Sequence, residues 1–167
     1  RRFMDMELCQ LNKAYLFYLK QYKKVLKQRN ALLKQTKSRQ YLREALDVWD
    51  IQLVDYGRKI IQIREEFINE LQEIMSIQHA NLTGGKEDIK LVYRPNCSDD
   101  EFENSLFSAM ERDAFQKTTT VGPHRDDLQF LTQGEDLRKY GSQGQKRTAA
   151  LSLKMAEIQI VEEAIGE

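Results

Sequence analysis

The sequence predicts an α+β fold in which helices predominate. Hydrophobic residues make up 41% of the 167 residues, and only 2 prolines and 8 glycines interrupt them. Two long stretches repeat apolar residues at alternating intervals of three and four, which is the spacing of one helix face. Two short segments, 88–94 and 127–132, are typical of strands. We therefore expect two long helices beside a small mixed region of strands and helices.

The helical pair is predicted over residues 8–80. The repeated positions of its first helix are Leu11, Tyr15, Tyr18, Tyr22, Val25, Arg29 and Leu32. After a polar break at 35–39 the spacing resumes at Leu42, Leu46, Trp49, Leu53, Tyr56, Ile60, Ile63, Phe67, Leu71 and Ile74. Gly57 interrupts the second helix, where glycine costs up to about 1 kcal/mol relative to alanine. Because long helices with a short connection fold back on each other, we expect an antiparallel hairpin that forms an arm.

Beyond the hairpin, the pattern changes several times. The strand at 88–94 ends at Pro95, and Ser98 with Glu101 forms a capping-box pattern before an amphipathic helix that runs to Phe115. We assign 1–117 to a helical arm or lid domain, with the small strand and helix at 88–117.

Residues 118–167 form a second predicted part. A polar, turn-prone stretch at 118–127 precedes the strand at 127–132, and a further strand is expected to lead to Tyr140. From 143 to 163 the pattern is helical again, with an apolar side made of Leu151, Met155, Ile158 and Val161.

Charge is unevenly distributed although the net charge is zero. The segments 1–40, 41–117 and 118–167 carry net charges of +9, −7 and −2. One interpretation pairs a basic first helix with an acidic second helix, and the other makes the first helix a nucleic-acid surface. The cations available for phosphate contacts are Lys13, Lys20, Lys23, Lys24, Lys27, Arg29 and Lys34.

Composition also limits the setting of the protein. The two cysteines, Cys9 and Cys97, are far apart, which favours a reducing, cytoplasmic location over a disulfide framework. No apolar stretch is long enough for a membrane-spanning helix, so we expect no membrane partner. Because the chain begins with Arg1 and lacks an apolar signal segment, we expect it to be a piece of a longer protein.

The segment from Tyr140 to Gln145 (YGSQGQ) carries the clearest functional signal. It places two glycines and a serine at a predicted helix start, where free backbone N–H groups favour a phosphate. Ser142 supplies a hydroxyl, and Lys146 and Arg147 add positive charge in the first turn. The alternative is an ordinary glycine-rich turn in which Ser142 only caps the helix.

The chain does not contain the usual motifs for holding a nucleotide by itself. A P-loop requires a glycine, four intervening residues and then a Gly-Lys-Ser/Thr sequence. The nearest Gly-Lys pair is Gly85 and Lys86, which Glu87 follows. We therefore expect ATP to be bound elsewhere and to be contacted from outside by Ser142.

These motifs resemble those of the bacterial RecF family of DNA replication and repair proteins. The resemblance rests on Val121–Asp127 (VGPHRDD), on Tyr140–Gln145, and on Arg147–Glu157 (RTAALSLKMAE). The opening RRFMD and the stretch Lys27–Lys34 (KQRNALLK) are also similar to the start of that family's second domain. The two C-terminal motifs together are specific, whereas residues 40–117 match only in character.

The resemblance implies an ABC-type ATPase, similar to the heads of chromosome-maintenance proteins, that dimerises around two ATP molecules. It identifies Ser142, Gln143, Gly144 and Gln145 as the signature motif that contacts ATP in the partner subunit, so 118–167 would belong to the ATPase head. It further implies Mg²⁺ with the ATP, a homodimer, duplex DNA and RecR as partners, and weak ATPase activity of the whole protein. Because the P-loop and Walker B strand are missing from the sequence, we expect no hydrolysis by this chain alone.

Residues 124–127 leave several interpretations open. His124, Asp126 and Asp127 could ligate a metal, but no second His or Cys lies at normal ligand spacing, so none is expected. A structural role, in which Arg125 fixes the loop through acidic or backbone groups, is favoured. Contact of His124 or Arg125 with nucleotide or a second subunit is the remaining interpretation.

The DNA contacts are expected from Lys20, Lys23, Lys24, Lys27 and Lys34. A rival hypothesis makes the chain a non-enzymatic coiled-coil module that binds a protein. The two hypotheses differ in whether Ser142 is needed for ATP-dependent dimerisation.

Overall fold

A computed structural model describes residues 1–35 and 38–166, so Thr36 and Lys37 of the predicted polar break lie outside the described residues. The elements, in chain order, are α1 (Arg2–Leu11), α2 (Lys13–Leu33), α3 (Arg39–Thr83), β1 (Lys90–Arg94), α4 (Phe102–Ser108), α5 (Met110–Gln116), a short 3-10 turn (Pro123–Arg125), β2 (Asp127–Thr132), β3 (Glu135–Asp136), α6 (Leu137–Tyr140) and α7 (Gln143–Ile165). The mostly helical α+β fold predicted from the sequence is confirmed. Within the described residues, no helix combines the length and apolarity needed to cross a membrane.

The chain forms two compact units that alternate along the sequence. The first unit comprises Arg1–Arg64 and Pro95–Asp127, and the second comprises Glu65–Arg94 and Leu128–Glu167. Helix α3 contributes its first part to one unit and its second part to the other. The boundary that the sequence suggests between residues 117 and 118 divides an arm or lid domain from a part of the ATPase head. This functional division stays a prediction.

Helix α2 and the first part of α3 run antiparallel in the first unit. Arg29, near the end of α2, bonds Asp50 in the first part of α3. Tyr15, near the start of α2, bonds Arg64, which lies later in α3. The predicted spacing places buried residues on the facing sides, among them Tyr15, Tyr22, Val25, Leu42, Leu46, Leu53 and Ile60. The two helices pack along these sides because the three-and-four spacing places the apolar residues on one face of each helix, and burying that face is favourable.

Two helix boundaries differ from the expectation. The helix predicted from residue 8 is divided at Asn12, whose side-chain oxygen accepts from the Tyr15 N–H at 2.9 Å and starts a new helix. The helix predicted after Ser98 is divided at Ala109 into α4 and α5. Ser98 accepts from the Glu101 N–H at 3.3 Å, one residue before α4 begins.

The second unit contains a three-stranded sheet in the order β1-β2-β3. Strand β2 pairs antiparallel with β3, with Leu131 opposite Asp136 and Thr132 opposite Glu135. The predicted strand leading to Tyr140 is only two residues long, because Asp136 accepts from the Arg138 N–H at 2.8 Å and starts α6.

Helix α7 buries a different side from the one that its apolar residues suggest. Leu151 is 50% exposed and Ile158 is 57% exposed. The buried positions are instead Ala149, Ser152, Ala156, Glu157 and Ile160. Small side chains allow the rest of the second unit to approach the helix axis on that side.

Candidate functional site

Ser142 and Gln145 form a complete capping box at the start of α7. The Ser142 hydroxyl oxygen accepts from the Gln145 N–H at 3.1 Å, and the Gln145 side-chain oxygen accepts from the Ser142 N–H at 2.9 Å. The Ser142 hydroxyl keeps its own proton, which it can donate to an anion. The capping interpretation and the phosphate interpretation of Ser142 are therefore compatible.

The next two backbone N–H groups remain available. Among the hydrogen bonds of the described residues, none uses the N–H of Gln143 or Gly144, and both residues are exposed. A Cβ atom at Gly144 would have the Ser142 hydroxyl oxygen at 3.8 Å and, apart from its chain neighbours and the backbone of its own helix, no other atom of the described residues within 4 Å, so the backbone is open to a ligand at this position. Such N–H groups carry the positive end of the helix dipole and favour a negatively charged ligand.

Gly141 stands where a side chain would clash with the preceding helix. A Cβ atom there would lie 2.5 Å from the Leu137 carbonyl oxygen and 2.6 Å from Leu137 Cδ1. Gly141 is thus required for the tight junction between α6 and α7, whereas the open approach belongs to Gly144. Lys146 is half-buried and Arg147 is exposed in the first turn of α7, where both are placed to attract an anion.

A run of hydrogen bonds connects Gly144 with α3. The Thr148 hydroxyl donates to the Gly144 carbonyl at 3.0 Å, and the Ser152 hydroxyl donates to the Thr148 carbonyl at 2.9 Å. Nδ1 of His79 lies 2.8 Å from the Ser152 oxygen. Because Ser152 gives its proton to Thr148, Nδ1 of His79 is the donor.

Sequence reasoning did not identify this group of residues. His79 is 2% exposed and Ser152 is 0% exposed, and burial lowers the pKa of His79. The interval of four between Gly144, Thr148 and Ser152 was the available signal, since it places their side chains on one face of α7.

His124, in the first unit, is held by both of its ring nitrogens. Nε2 lies 2.8 Å from the Thr119 carbonyl oxygen, and Nδ1 lies 2.7 Å from the Tyr22 hydroxyl. A carbonyl only accepts, so Nε2 carries the proton and Nδ1 accepts from Tyr22. Burial lowers the pKa of His124 to about 4, and the ring is therefore neutral at pH 7.

The cation that fixes the loop at 123–126 is Arg64 of α3. Its guanidinium donates at 2.7 Å to the Pro123 carbonyl, to Asp126 and to Asp5. Arg125, for which this role was expected, is exposed. The expectation was wrong because sequence proximity favoured Arg125, whereas Arg64 reaches the loop from a helix packed against it.

Arg29 is likewise unavailable to DNA. It is 0% exposed and donates to Asp50 at 2.6 Å, to Asp113 at 2.7 Å and to Thr119 at 2.9 Å. Its inclusion among the phosphate-contacting cations is therefore wrong. A buried guanidinium of this kind is tolerated because carboxylates compensate its charge.

The other predicted DNA-contacting cations lie on the outer side of α2. Counted at 100° per residue, Lys13, Lys20, Lys24, Lys27 and Lys34 fall on one face, with Lys23 at its edge. That face is opposite the buried seam, and all six side chains are exposed. Helix α2 contains no acidic residue to neutralise them.

No group of three or more His, Cys, Asp or Glu side chains arranged to hold a metal occurs in the described part of the chain. At 124–127 the candidate ligands have other partners. Both ring nitrogens of His124 are engaged, and Asp126 accepts from Arg64 and from the Asn96 N–H.

Comparison with known proteins places these features in a family. No family model matches the chain. It is 53% identical over 98% of its length to the DNA replication and repair protein RecF of Lachnoclostridium phytofermentans, and 53% identical over 99% to that of Agathobacter rectalis. The RecF protein of Bacillus thuringiensis is 43% identical over the whole chain. The chain covers 45%, 46% and 48% of these relatives, which is about half their length.

Two solved structures agree with these relatives. The structure of the recombination mediator protein RecF-ATPrS in RecFOR pathway superposes with a TM-score of 0.90 and 34% identity, over 100% of this chain and 47% of the other. The corresponding RecF-ATP structure gives a TM-score of 0.89 at the same identity and coverage. The chain therefore belongs to the RecF family of DNA replication and repair proteins.

Proposed function

We propose that this chain supplies the arm and the signature motif of a protein that dimerises on ATP, binds duplex DNA at gaps and helps to load recombinase. The observation that carries the proposal is the open start of α7. There the Ser142 hydroxyl and the N–H groups of Gln143 and Gly144 face solvent without competing partners from the described residues. The similarity to RecF structures named with ATP and ATPrS supports the identity of the anion.

The ATP contacted by this motif is held by the partner subunit. The sequence contains no P-loop, so the nucleotide and its Mg²⁺ require residues outside this chain. The serine and the two N–H groups then contact the terminal phosphate across a homodimer interface. Loss of that phosphate on hydrolysis removes the contact and releases the dimer. The whole protein acts as a weak ATPase in the cytoplasm, and this chain alone does not hydrolyse ATP.

Duplex DNA binds to the lysine face of α2. The exposed ammonium groups of Lys20, Lys24 and Lys27, with those of Lys23 and Lys34, contact phosphates without reading bases. RecR is the protein partner that the family resemblance favours. His124 and Arg125 remain candidates for an interface or nucleotide contact, although a neutral His124 with both nitrogens engaged offers no charge to a phosphate.

Replacement of Ser142 by arginine in the full-length protein tests the signature role. The long side chain fills the space in front of the Gly144 N–H, so we expect the affinity of ATP-dependent dimerisation to fall at least tenfold. Sedimentation velocity with and without ATP measures it. Ser108→Arg, at an exposed serine on α4, is the matched control and should dimerise normally.

Undiminished ATP-dependent dimerisation of S142R would rule out the signature role. It would favour the alternative of a non-enzymatic coiled-coil module that binds another protein.

A further inference from the structure

A groove of about 320 Å³ lies on the first unit, between α3 and α4. Its apolar part consists of Ile51, Val54, Leu106 and Phe107. Leu106 and Val54 form the floor and are 1% and 7% exposed. The two residues at the opening, Phe107 and Ile51, are 75% and 72% exposed. Large apolar side chains on both sides of a concave surface are typical of a docking site, because burying them is favourable.

The same groove carries a negative rim. Its lining includes the carboxylates of Asp47, Asp50, Asp55 and Glu103 and a single guanidinium, that of Arg58. Arg58 is engaged locally, since it donates to the Asp99 carbonyl at 2.9 Å and to Glu103 at 3.5 Å.

The four carboxylates differ in how far the chain itself compensates them. Asp50 bonds the buried Arg29, Asp55 lies 3.5 Å from Lys59, and Glu103 lies 3.5 Å from Arg58, so these three are each partly compensated. Asp47 is exposed at one end of the groove. Burial raises the pKa of Asp50, so an additional cation placed beside it would stabilise its charged form.

The chemistry of the groove selects one class of occupant. Duplex DNA and anionic lipid surfaces carry negative charge and would be repelled by the rim. The lining positions Asp47, Ile51, Val54 and Arg58 follow one face of α3 for about three turns, so the groove is elongated. An elongated apolar groove with an acidic rim fits a chain segment that alternates apolar and basic faces.

We propose that this groove docks a basic amphipathic helix of a protein partner. Apolar side chains of the partner lie between Ile51 and Phe107, and its lysines or arginines face Asp47, Asp55 and Glu103. The inference goes beyond the proposed ATP and DNA functions and does not depend on them. It assigns protein binding to α3 and α4 and leaves the lysine face of α2 to DNA.

The test uses the full-length protein and two labelled helical peptides. Both peptides carry leucines at positions i, i+3 and i+7, and the remaining positions are lysine in one and glutamate in the other. Fluorescence anisotropy at increasing salt measures their affinity. We expect the lysine peptide to bind at least tenfold more tightly than the glutamate peptide, with an affinity that falls as salt increases.

Two independent variants locate the binding. Phe107→Ser and Ile51→Ser remove apolar surface from the groove without changing its charge, and each should weaken the lysine peptide at least tenfold. Phe115→Ser is the matched control, because Phe115 is 83% exposed on α5 and does not line the groove. The control should bind within twofold of the wild type.

Several results would overturn the inference. The first is equal binding of the two peptides, the second is unchanged affinity in both groove variants, and the third is a loss in F115S as large as that in the groove variants. Covering of the groove by the rest of the protein or by a second copy would prevent peptide binding to the wild type and would overturn it too. Peptide binding should persist in S142R, whereas ATP-dependent dimerisation should persist in F107S, so failure of one proposal is distinguishable from failure of the other.

Discussion

Gly57 interrupts the longest helix of the protein because the ring of Phe102 occupies the place of a side chain. A Cβ atom at position 57 would lie 2.3 Å from Phe102 Cε1, and Phe102 is completely buried. Glycine is intrinsically unfavourable within a helix, but at position 57 it allows the Phe102 ring to pack directly against the helix backbone.

Gly57→Ala should destabilise the protein by about 1–2 kcal/mol. Overpacking costs roughly 1–3 kcal/mol, and the better helix propensity of alanine returns up to about 1 kcal/mol. Urea unfolding followed by circular dichroism measures the change. The cost should shrink in a Phe102→Leu background, and a G57A variant as stable as wild type would contradict the packing argument.

His124 should make stability depend on pH. Its pKa is lowered by burial to about 4 in the folded protein, from 6.5 in the unfolded chain. Below pH 6.5 the unfolded chain binds a proton that the folded ring does not, so stability falls as pH decreases towards 4. We expect a loss on the order of 1–3 kcal/mol between pH 7 and pH 4.5.

The comparison for this prediction is His124→Gln, which retains an N–H for the Thr119 carbonyl and does not titrate. Urea unfolding at pH 7, 6, 5 and 4.5 should show a smaller loss for H124Q than for the wild type. His79, whose pKa is also lowered, is present in both proteins and cancels. Parallel pH profiles of the two proteins would refute the assignment.

At the scale of elements, α7 begins with a capping box and continues with small residues on its buried side. The cap follows from local sequence, because Ser142 and Gln145 bond each other's backbone. The buried side follows from Ser152, whose hydroxyl connects α7 to His79 of α3. The orientation of the turn at Ser142–Gln145, the proposed signature motif, therefore depends on a contact that Ser152 makes ten residues after Ser142.

Ser152→Ala should lower the free energy of unfolding by about 1–3 kcal/mol. The variant leaves the buried Nδ1 donor of His79 without its partner, and an unsatisfied buried donor carries that cost. Thermal or urea unfolding measures it. Ser108→Ala removes an exposed hydroxyl from α4 and should change stability by less than about 0.5 kcal/mol. If S152A also loses less than about 0.5 kcal/mol, the bond between Ser152 and His79 contributes little to stability.

At the scale of the whole molecule, zero net charge conceals two surfaces of opposite sign. One is the lysine face of α2, and the other is the acidic groove of α3 and α4. A polyanion would therefore be attracted to one face of the hairpin rather than to the molecule as a whole, which is the basis of the proposed DNA contact.

Lys20→Ala combined with Lys24→Ala should weaken duplex binding equally for unrelated DNA sequences. If each lysine contacts one phosphate, the slope of log affinity against log salt should decrease by about 2. Titrations of the full-length protein with ATP between 50 mM and 200 mM salt would measure the slope. The matched control is Lys86→Ala with Lys90→Ala, two exposed lysines of the second unit. Equal slopes in both double variants would exclude α2 as the DNA-binding face.

The sequence by itself determined the elements whose causes are local. The three-and-four spacing defined the paired helices, alternation defined the strand Asp127–Thr132, and Ser142 with Gln145 defined the start of α7. Each depends on residues within a few positions of one another, so periodicity and capping chemistry report it directly.

Only the tertiary structure decided which side chains are buried when distant segments supply the partners. Arg29 is buried where Asp113 and Thr119, 84 and 90 residues away, accept hydrogen bonds from its Nη1. Leu151 and Ile158 are exposed in this chain, whereas Ser152, on another side of α7, is buried against His79 of α3. Helical periodicity identifies an apolar face, but the free energy of burying a face depends on the atoms that pack across it, and those are set by the fold.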